Sequence, residues 1–434
     1  MTSGQVAPEL RLRHWRIRIF ALTWLTYASY YFCRQPFYIG KSEIEKAFDL
    51  DPTFLGYLGL TYIVCYDIGQ FTAAALGRRL GSRLLLLLGM AATILINVVF
   101  GLSNSGMTIL LFMALNGLAQ GTGWSGVIGT LAMWFRRTER GQVMGIWATC
   151  YQVGAIAAKS YAAFLLGLWG WRFAFFGGAA LTLVFWVINL FFFRSTPQEA
   201  GLPPVNDDDE ALARPAAGAA PTTGGRPVRE PLGWDRKVWM GIVFLGLTYL
   251  CLKFLRYSLW SWGPYLMEKT FHLTGAEAGQ HSVAFDVGGF FGVIVSGVVS
   301  DRLFQGRRSH TTLIMILGLV AACILMYTVG SLSIWVMTGC FALVGFMLYG
   351  PDFLVSGAGA VDVGSQRGAL VAAGLISGIG TMGAILQEIA IPIIYERFEH
   401  QLLPVLLLFV GVAMLGALAI TILWIMGRKG WTRF

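Results

Sequence analysis

Long apolar runs separated by short polar segments dominate the chain from end to end. The runs at 83–103 and 401–426 are almost wholly apolar, so they lack the alternation of an amphipathic helix or a half-buried strand. As helices, runs of this length cross the roughly 30 Å hydrocarbon layer of a membrane. The predicted membrane-spanning helices are 17–38, 53–76, 83–103, 106–132, 142–167, 172–193, 238–266, 281–299, 312–331, 333–358, 368–394 and 401–426. The pattern therefore predicts an all-α membrane protein with 12 transmembrane helices.

One long hydrophilic segment interrupts this series between the sixth and seventh predicted helices. Residues 206–227 read NDDDEALARPAAGAAPTTGGRP, which contains too few large apolar residues to form a core. We interpret 194–237 as a flexible cytoplasmic linker. The predicted domains are then an N-terminal six-helix bundle at 1–193 and a C-terminal six-helix bundle at 238–434.

Short motifs recur in the two halves at a nearly constant offset. A Thr-Tyr pair precedes Arg34 in the first predicted helix, and the same pair precedes Arg256 in the seventh, 222 residues later. Two further matches, in the same order, are GRRLGSR (77–83) with SDRLFQGRR (300–308) and ERG (139–141) with QRG (366–368). Repeats of this kind indicate duplicated, pseudo-symmetric halves. The arrangement resembles the major facilitator superfamily.

The composition supports a membrane protein and its charges indicate an orientation. Hydrophobic residues make up 56% of the chain and charged residues 13%, against about 25% charged in soluble domains. Of 32 Lys and Arg, 23 lie at the termini, in the linker and in the even-numbered loops, and five lie in the opposite loops. By the positive-inside rule both termini and the linker are cytoplasmic. The net charge of +9 is scattered over short loops and forms no stripe, so nucleic acid is not an expected partner.

The sequence lacks the motifs that mark several common kinds of catalytic and nucleotide-binding site. There is no GxxxxGK[ST] phosphate loop, no HExxH, no catalytic triad and no nucleotide fingerprint. The six cysteines lie inside apolar runs without metal-type spacing. We therefore expect no enzymatic activity, no cofactor and no metal, and a monomer whose partners are the lipid bilayer and a small solute moved by gradients.

Four basic residues remain inside the predicted spans, and Arg34 and Arg256 are the most informative of them. An ionised side chain deep in a bilayer is costly and is a functional hypothesis by default. The repeat places the two arginines at equivalent depths, facing each other across the pseudo-twofold axis. A guanidinium stays charged when desolvated and presents a fork of donors to phosphate or carboxylate oxygens. The sequence thus predicts a small anionic substrate bound between them.

The other two basic residues, Lys159 and Lys253, leave alternatives open. Lys253 lies nearly one helical turn before Arg256, so it either faces the cavity or pairs with an acid. Lys159 shares a helical face with Tyr151 and Ala155, which would open on the cavity, but a structural partner is equally compatible. The acids predicted inside the membrane are Asp67, Asp286, Asp352 and Glu388. They could form a proton relay or switch salt bridges between conformations, and Asp286, beside two glycines, is the best candidate for a switch.

Polar and aromatic side chains on the spans complete the predicted binding site. Tyrosine hydroxyls donate to phosphate oxygens while their rings stack on a carbon skeleton, although packing is the alternative role for each. Tyr31, one turn before Arg34, is favoured as a ligand. The other candidates are Tyr27, Tyr30, Gln35, Gln70, Gln120, Trp124, Tyr151, Gln152 and Tyr349.

Charged residues in the cytoplasmic loops are predicted to favour one conformation over another. Such side chains can contact helix ends and opposite charges, and remaking those contacts would bias the protein between open states. A purely topogenic role is the alternative. The predicted switch residues are Arg78, Arg136, Arg140, Asp301 and Arg302.

Several segments resemble the organophosphate:phosphate antiporters of the major facilitator superfamily, which include glycerol-3-phosphate, hexose-phosphate and glucose-6-phosphate transporters and a membrane sensor. The segments are YASYYFCRQPF (27–37), NGLAQGTGW (116–124), WFRRTERG (134–141), STPQEAGLPP (195–204), LRYSLWSWGPYL (255–266), DVGGFFG (286–292), GFMLYGP (345–351) and RGALVAAG (367–374). They follow the family's order across nearly the whole chain. The resemblance implies alternating access in a bacterial inner membrane, with an organic phosphate exchanged for inorganic phosphate between Arg34 and Arg256.

The chain departs from the family pattern around the predicted site. Gln35 and Gln70 stand where the family usually has lysines, Tyr151 stands for a common histidine, and Asp286 for a glutamate. The resemblance therefore suggests that Lys159 replaces part of a lost positive potential. Two other functions stay open: a sensor that binds a sugar phosphate without transport, and a proton-coupled carrier of another organic anion that uses Asp67 or Glu388.

Overall fold

The fold consists of helices throughout the part of the chain that the structure describes. The computed structural model describes residues 3–205, 235–302, 308–429 and 431–432, apart from some side chains within these ranges, and these residues form no β-strand. The first half contains α1 (Ser3–Phe32), α2 (Gln35–Ile39), α3 (Lys41–Phe48), α4 (Pro52–Leu80), α5 (Ser82–Leu102), α6 (Gly106–Trp134), α7 (Arg137–Trp147), α8 (Thr149–Trp169) and α9 (Trp171–Phe192). The second half contains α10 (Arg236–Ser261), α11 (Gly263–Phe271), α12 (Gly275–Arg302), α13 (Arg308–Val329), α14 (Ile334–Phe353), α15 (Ala360–Arg397) and α16 (Leu402–Arg428). Short 3-10 helices lie at Gln198–Ala200 and Gly330–Leu332, and a π-helix at Leu354–Gly359.

The predicted all-α class is confirmed, and the long helices fall on the predicted spans. Among the described residues, eight helices are long and apolar enough to cross a membrane by length and composition. The count of 12 spans and the domain boundaries stay predictions, and most of the predicted linker lies outside the described residues.

The predicted first and seventh spans are each interrupted. Cys33 and Arg34 form a turn between α1 and α2, and Pro36 lies in the first turn of the new helix. Likewise α11 starts at Gly263, directly before Pro264. Proline has no backbone N–H to continue the preceding helix, which accounts for both breaks. The first break places Arg34 at the junction between α1 and α2.

The two halves pack against each other through α4 with α15 and α8 with α12. The halves approach each other most closely at one end of the helices, opposite both chain termini. We call this end the distal face; it comprises the connections 33–51, 262–274 and 398–401. Gly56 lies so near α15 that a Cβ atom there would collide with the backbone carbonyl oxygen of Glu388. Glycine is needed at this crossing because only a bare Cα lets the two backbones come so close.

Replacing Gly56 by alanine is expected to separate the halves at the distal face. The added methyl group would meet the Glu388 carbonyl oxygen and lie 2.9 Å from Cγ of Pro392, so one of the two helices must shift. Spin labels at Ala47 and Arg397, both exposed on the distal face, should report a longer distance. Gly411→Ala is the control, since no described atom lies within 4 Å of a Cβ atom built there; an equal distance in both variants would contradict the prediction.

Candidate anion-binding site

A cavity lies between the two halves at the level of the two predicted arginines. The lining residues are Tyr31, Arg34, Tyr151, Gln152, Ala155, Arg256, Tyr257, Trp260 and Tyr349. The structure therefore brings Arg34 and Arg256 to one cavity. Sequence reasoning did not single out Tyr257 or Trp260, although they lie beside Arg256 and one turn after it.

Arg34 is held by neutral groups. Its Nε donates to Oε1 of Gln120 at 3.0 Å, and the same oxygen accepts from the Tyr62 hydroxyl at 2.8 Å. The guanidinium carbon lies 5.1 Å from the ring centroid of Tyr31 and 4.9 Å from that of Tyr66. Among the described residues, no carboxylate oxygen lies within 4 Å of this guanidinium. Arg34 thus presents an uncompensated positive charge to the cavity.

Arg256 differs because it pairs with an acid. Its Nη1 donates to Oδ2 of Asp352 at 2.8 Å, and its guanidinium carbon lies 4.6 Å from the ring centroid of Tyr349. The Arg256 side chain keeps 25% of its surface exposed, against 9% for Asp352. The remaining donors of Arg256 can therefore meet a ligand in the cavity.

Lys159 forms a salt bridge and does not line the cavity in this conformation. Its Nζ lies 2.7 Å from Oδ2 of Asp286, and both side chains are fully buried. The other oxygen of Asp286 accepts from the Tyr349 hydroxyl at 2.9 Å. The structure favours the structural-partner alternative for Lys159, and it links the first half, through Asp286 and Tyr349, to Arg256.

Lys253 also lies off the cavity. Its Nζ donates to Oγ1 of Thr381 at 3.2 Å and lies 5.0 Å from the ring centroid of Tyr249. No carboxylate in the described ranges comes within 4 Å of it. Direct contact between Lys253 and a substrate stays a prediction.

Three of the predicted aromatic residues pack into one cluster on the side of Arg34 that faces the termini. Tyr27 lies 5.2 Å from Tyr151 and 6.2 Å from Trp124, ring centroid to ring centroid, and Trp147 completes the cluster. Of these, Tyr151 lines the cavity. The others support it from behind, which agrees with the packing role that the sequence left open.

The four predicted glutamines have different surroundings, and of them Gln152 lines the cavity. Gln120 orients Arg34. Gln70 is half-buried on α4, where its backbone oxygen accepts from Ser125. Gln35 is wholly buried, and its side-chain amide has no hydrogen-bond partner among the described atoms. Neither Gln35 nor Gln70 lines the cavity.

The predicted switch residues other than Asp286 lie on the face of the protein that also carries the chain termini, opposite the distal face. Arg140 donates to the carbonyl oxygens of Phe135 and Ala132 at the end of α6, where a cation is favoured by the helix dipole. Arg136 and Arg302 are exposed. The side chains of Arg78 and Asp301 lie outside the described residues. A conformational role for this group stays a prediction.

A buried ion pair that the sequence analysis missed lies at the distal face. Lys41, placed among the loop residues by its position, has no exposed surface, and its Nζ lies 3.6 Å from Oε2 of Glu388. Lys41 donates to Ser261 at 2.8 Å, while Glu388 accepts from Ser261 and from the indole of Trp262. In the sequence, the feature that indicates this pair is Glu388 itself, because an acid deep in an apolar helix requires a basic partner.

Further polar contacts surround this pair, and together we call them the distal contact. Ser42 and Lys46 of α3 bind the carboxylate of Glu268 at 2.6 and 3.0 Å. The remaining members are Glu45 with Tyr265 and Lys269, and Thr53 with Glu396. Each joins the first half to the second, so the distal face is closed in this conformation.

The sequence of the chain matches one family model over most of its length. The model, described as Major Facilitator Superfamily, matches residues 23–386. The chain belongs to the Major Facilitator Superfamily. As a member of this superfamily it is a multi-pass membrane protein, in agreement with its long apolar helices.

Several characterised proteins resemble the chain along most of its length. A probable hexose phosphate transport protein of Chlamydia pneumoniae is 27% identical, covering 88% of this chain and 85% of the relative. The membrane sensor protein UhpC of Salmonella typhimurium is 29% identical over 87% and 85%, and sugar phosphate exchanger 3 of Xenopus laevis is 28% identical over 80% and 74%. These relatives agree with the family resemblance that the sequence motifs indicated.

A solved structure confirms the superfamily fold. A bacterial homologue of the human lysosomal transporter Spinster, in an inward-facing and occupied conformation, has a TM-score of 0.71 over 95% of this chain and 97% of that one. The identity is 15%, so the likeness shows the fold alone.

The distal contact is expected to become more stable as the pH falls. Burial and the neighbouring carboxylate of Glu268 raise the pKa of Glu43, which lies in the connection outside the membrane spans, while a bond from the Trp171 backbone and the charge of Lys46 oppose this. A raised pKa means that the closed face binds a proton more strongly, so closure gains stability at low pH and loses it as pH rises through that pKa.

Distances between spin labels at Ala47 and Arg397 should therefore shorten between neutral pH and the ordinary glutamate pKa of about 4.3. Glu43→Gln should remove this part of the pH dependence. Glu277→Gln, a change at a solvent-exposed glutamate of the same face, serves as control. A Glu43→Gln profile identical to the parent profile would rule the assignment out.

Proposed function

We propose that the protein exchanges an organic phosphate for inorganic phosphate by alternating access. The observation that carries this proposal is the pair Arg34 and Arg256 on one cavity, with Arg34 free of any carboxylate partner in the described part of the chain. The relatives named as hexose phosphate transport protein and sugar phosphate exchanger support the substrate class.

The geometry suggests how the anion is held. Gln120 binds the Nε edge of Arg34 and so directs the remaining donors of the guanidinium toward the cavity. Arg256 offers the donors that Asp352 does not use. Charge-assisted bonds from two guanidinium groups are strong and directional for phosphate oxygens. Tyr31, Tyr151 and Trp260 offer ring faces to the carbon skeleton of an organic phosphate.

Anion binding also couples to the movement of the halves. Arg34 and Arg256 belong to opposite halves and carry like charges, so an anion between them removes a repulsion and favours their approach. With cytoplasmic termini, as the positive-inside rule predicts, the closed distal face is the outer face. Opening the distal contact would then expose the same site to the outside.

Reconstitution tests this function directly. Purified protein in liposomes loaded with inorganic phosphate should take up labelled glycerol phosphate, hexose phosphate or phosphoglycerate, with stoichiometric release of phosphate. Empty liposomes and liposomes lacking protein are the controls. Absence of uptake for all three classes in phosphate-loaded vesicles would contradict the proposal.

Two alternatives give different results in the same assay. The similarity to the sensor UhpC favours a protein that binds a sugar phosphate and signals to a partner; saturable binding without flux would identify it. Proton-coupled transport through Asp67 or Glu388 would show uptake that follows a proton gradient without counterflow of phosphate. Glu388 is engaged with Lys41, which leaves Asp67 as the better candidate for that mechanism.

A further inference from the structure

The two arginines of the cavity differ in the charge of their partners: one partner is neutral and the other is negative. Arg34 donates to the neutral amide of Gln120, whereas Arg256 donates to the carboxylate of Asp352. The cation in the first half is therefore unshared, and the cation in the second half already carries an anion. The proposed function uses both arginines but leaves unexplained why one of them is partly neutralised.

The pair between Arg256 and Asp352 is incomplete. It uses one nitrogen, Nη1, and one oxygen, Oδ2, where a guanidinium and a carboxylate can form two parallel bonds. The other oxygen, Oδ1, is buried and has no hydrogen-bond partner among the described residues. Buried carboxylate oxygens normally accept a hydrogen bond. Asp352 does not line the cavity in this conformation, so Oδ1 can accept a donor from a ligand only when the Asp352 side chain moves toward the cavity.

The backbone around Asp352 can accommodate movement of this side chain. Asp352 follows Pro351 in the last turn of α14 and precedes the π-helix Leu354–Gly359. Pro351 has no N–H to donate to the carbonyl of Met347, and a π-helical turn is wider than an α-helical one. Asp352 is thus attached to a segment without a full set of α-helical hydrogen bonds.

We propose that Asp352 determines specificity: it makes the site accept oxyanions that carry a hydrogen-bond donor and reject fully ionised ones. The inference rests on the proposed function. An oxyanion on the free edge of the Arg256 guanidinium shares that cation with Asp352, and two anions on one cation repel. A phosphate O–H or a neighbouring sugar hydroxyl turned toward Asp352 replaces this repulsion with a charge-assisted bond. Inorganic phosphate keeps a proton at pH 7, whereas sulfate of the same shape keeps none.

Calorimetric binding of inorganic phosphate and sulfate to the purified full-length protein at pH 7 tests this assignment. The parent protein should bind sulfate at least about ten-fold more weakly than phosphate, because like charges brought together oppose binding strongly. Asp352→Asn should bind sulfate with an affinity within about three-fold of that for phosphate, since an amide removes the charge and can donate. Asp352→Glu, which restores the charge, should again reject sulfate.

Asp67→Asn is the matched control, because Asp67 is another acid on a membrane helix and has no basic group within 4 Å among the described residues. It should leave the phosphate-to-sulfate ratio unchanged. Thermal melting identifies a variant that does not fold, and Asp352→Ser then replaces Asp352→Asn.

An unaltered ratio in folded Asp352→Asn, or an equal change in Asp67→Asn, would overturn the inference. Equal binding of both anions by the parent protein would overturn it as well, while leaving the proposed function intact. Failure of the parent protein to bind either anion would instead contradict the proposed function, and the inference with it.

Discussion

Replacing Arg34 by lysine is expected to weaken phosphate binding roughly 10- to 100-fold, with a matching loss of exchange. Lysine keeps the charge but carries a single ammonium group, which cannot bind Gln120 and still present a planar pair of donors to an oxyanion. Losing one charge-assisted hydrogen bond corresponds to about 1.5–3 kcal/mol, which is the expected range. Phosphate binding by calorimetry and exchange in phosphate-loaded liposomes measure the two effects.

Arg172→Lys provides a matched control for this substitution. Arg172 bonds to the carbonyl of Ser103 and stacks on Trp171, so the same chemical change is made away from the cavity. Arg256→Lys should resemble Arg34→Lys. Undiminished exchange by purified, reconstituted Arg34→Lys protein would count decisively against binding of the phosphoryl group between the two arginines.

Replacing Lys159 by methionine is expected to destabilise the closed conformation by about 3–5 kcal/mol, because it leaves the buried charge of Asp286 without its partner. Asp286→Asn should have a similar effect, because it leaves the buried charge of Lys159 without its partner. The double variant Lys159→Met with Asp286→Asn should recover much of the loss, since removing both members of a buried ion pair is often nearly neutral. Melting temperature and the distance between labels at Ala47 and Arg397 would report these changes.

Lys46→Met is the control for the loss of a lysine at the contact between the halves. Lys46 also pairs with a carboxylate across the halves, but 64% of its side chain is exposed, and exposed pairs contribute only about 0–1 kcal/mol. A double variant no more stable than either single variant would show that the pair does not act as a unit. Unchanged affinity and selectivity in Lys159→Gln would refute the hypothesis that Lys159 supplies positive potential to the ligand.

Helix positions and the meeting of the two arginines at one cavity could be predicted from sequence because they depend on local pattern and on the internal repeat. Apolar runs mark the long helices, and the internal repeat relates Arg34 to Arg256. Pairing could not be predicted in this way. Four bases and four acids allow many combinations, and the choice of Asp286 for Lys159 depends on how α8 and α12 are rotated about their axes.

Lys41 shows the second limit of sequence reasoning. It follows a helix break that the predicted span 17–38 did not reveal, although Pro36 stood within it. Because α2 and α3 turn back between the halves, a residue expected at a polar surface becomes fully buried against Glu388. Burial of this kind depends on the path of the chain in three dimensions, and hydropathy along the sequence carries no record of it.

Temperature changes the stability of the distal contact. Opening the distal contact returns Lys41 and Glu388 to water, and the hydration of charged groups becomes less favourable on warming. The apolar surface that packs around them is also held more firmly near physiological temperature than in the cold. Cooling should therefore shift the population toward the open distal face.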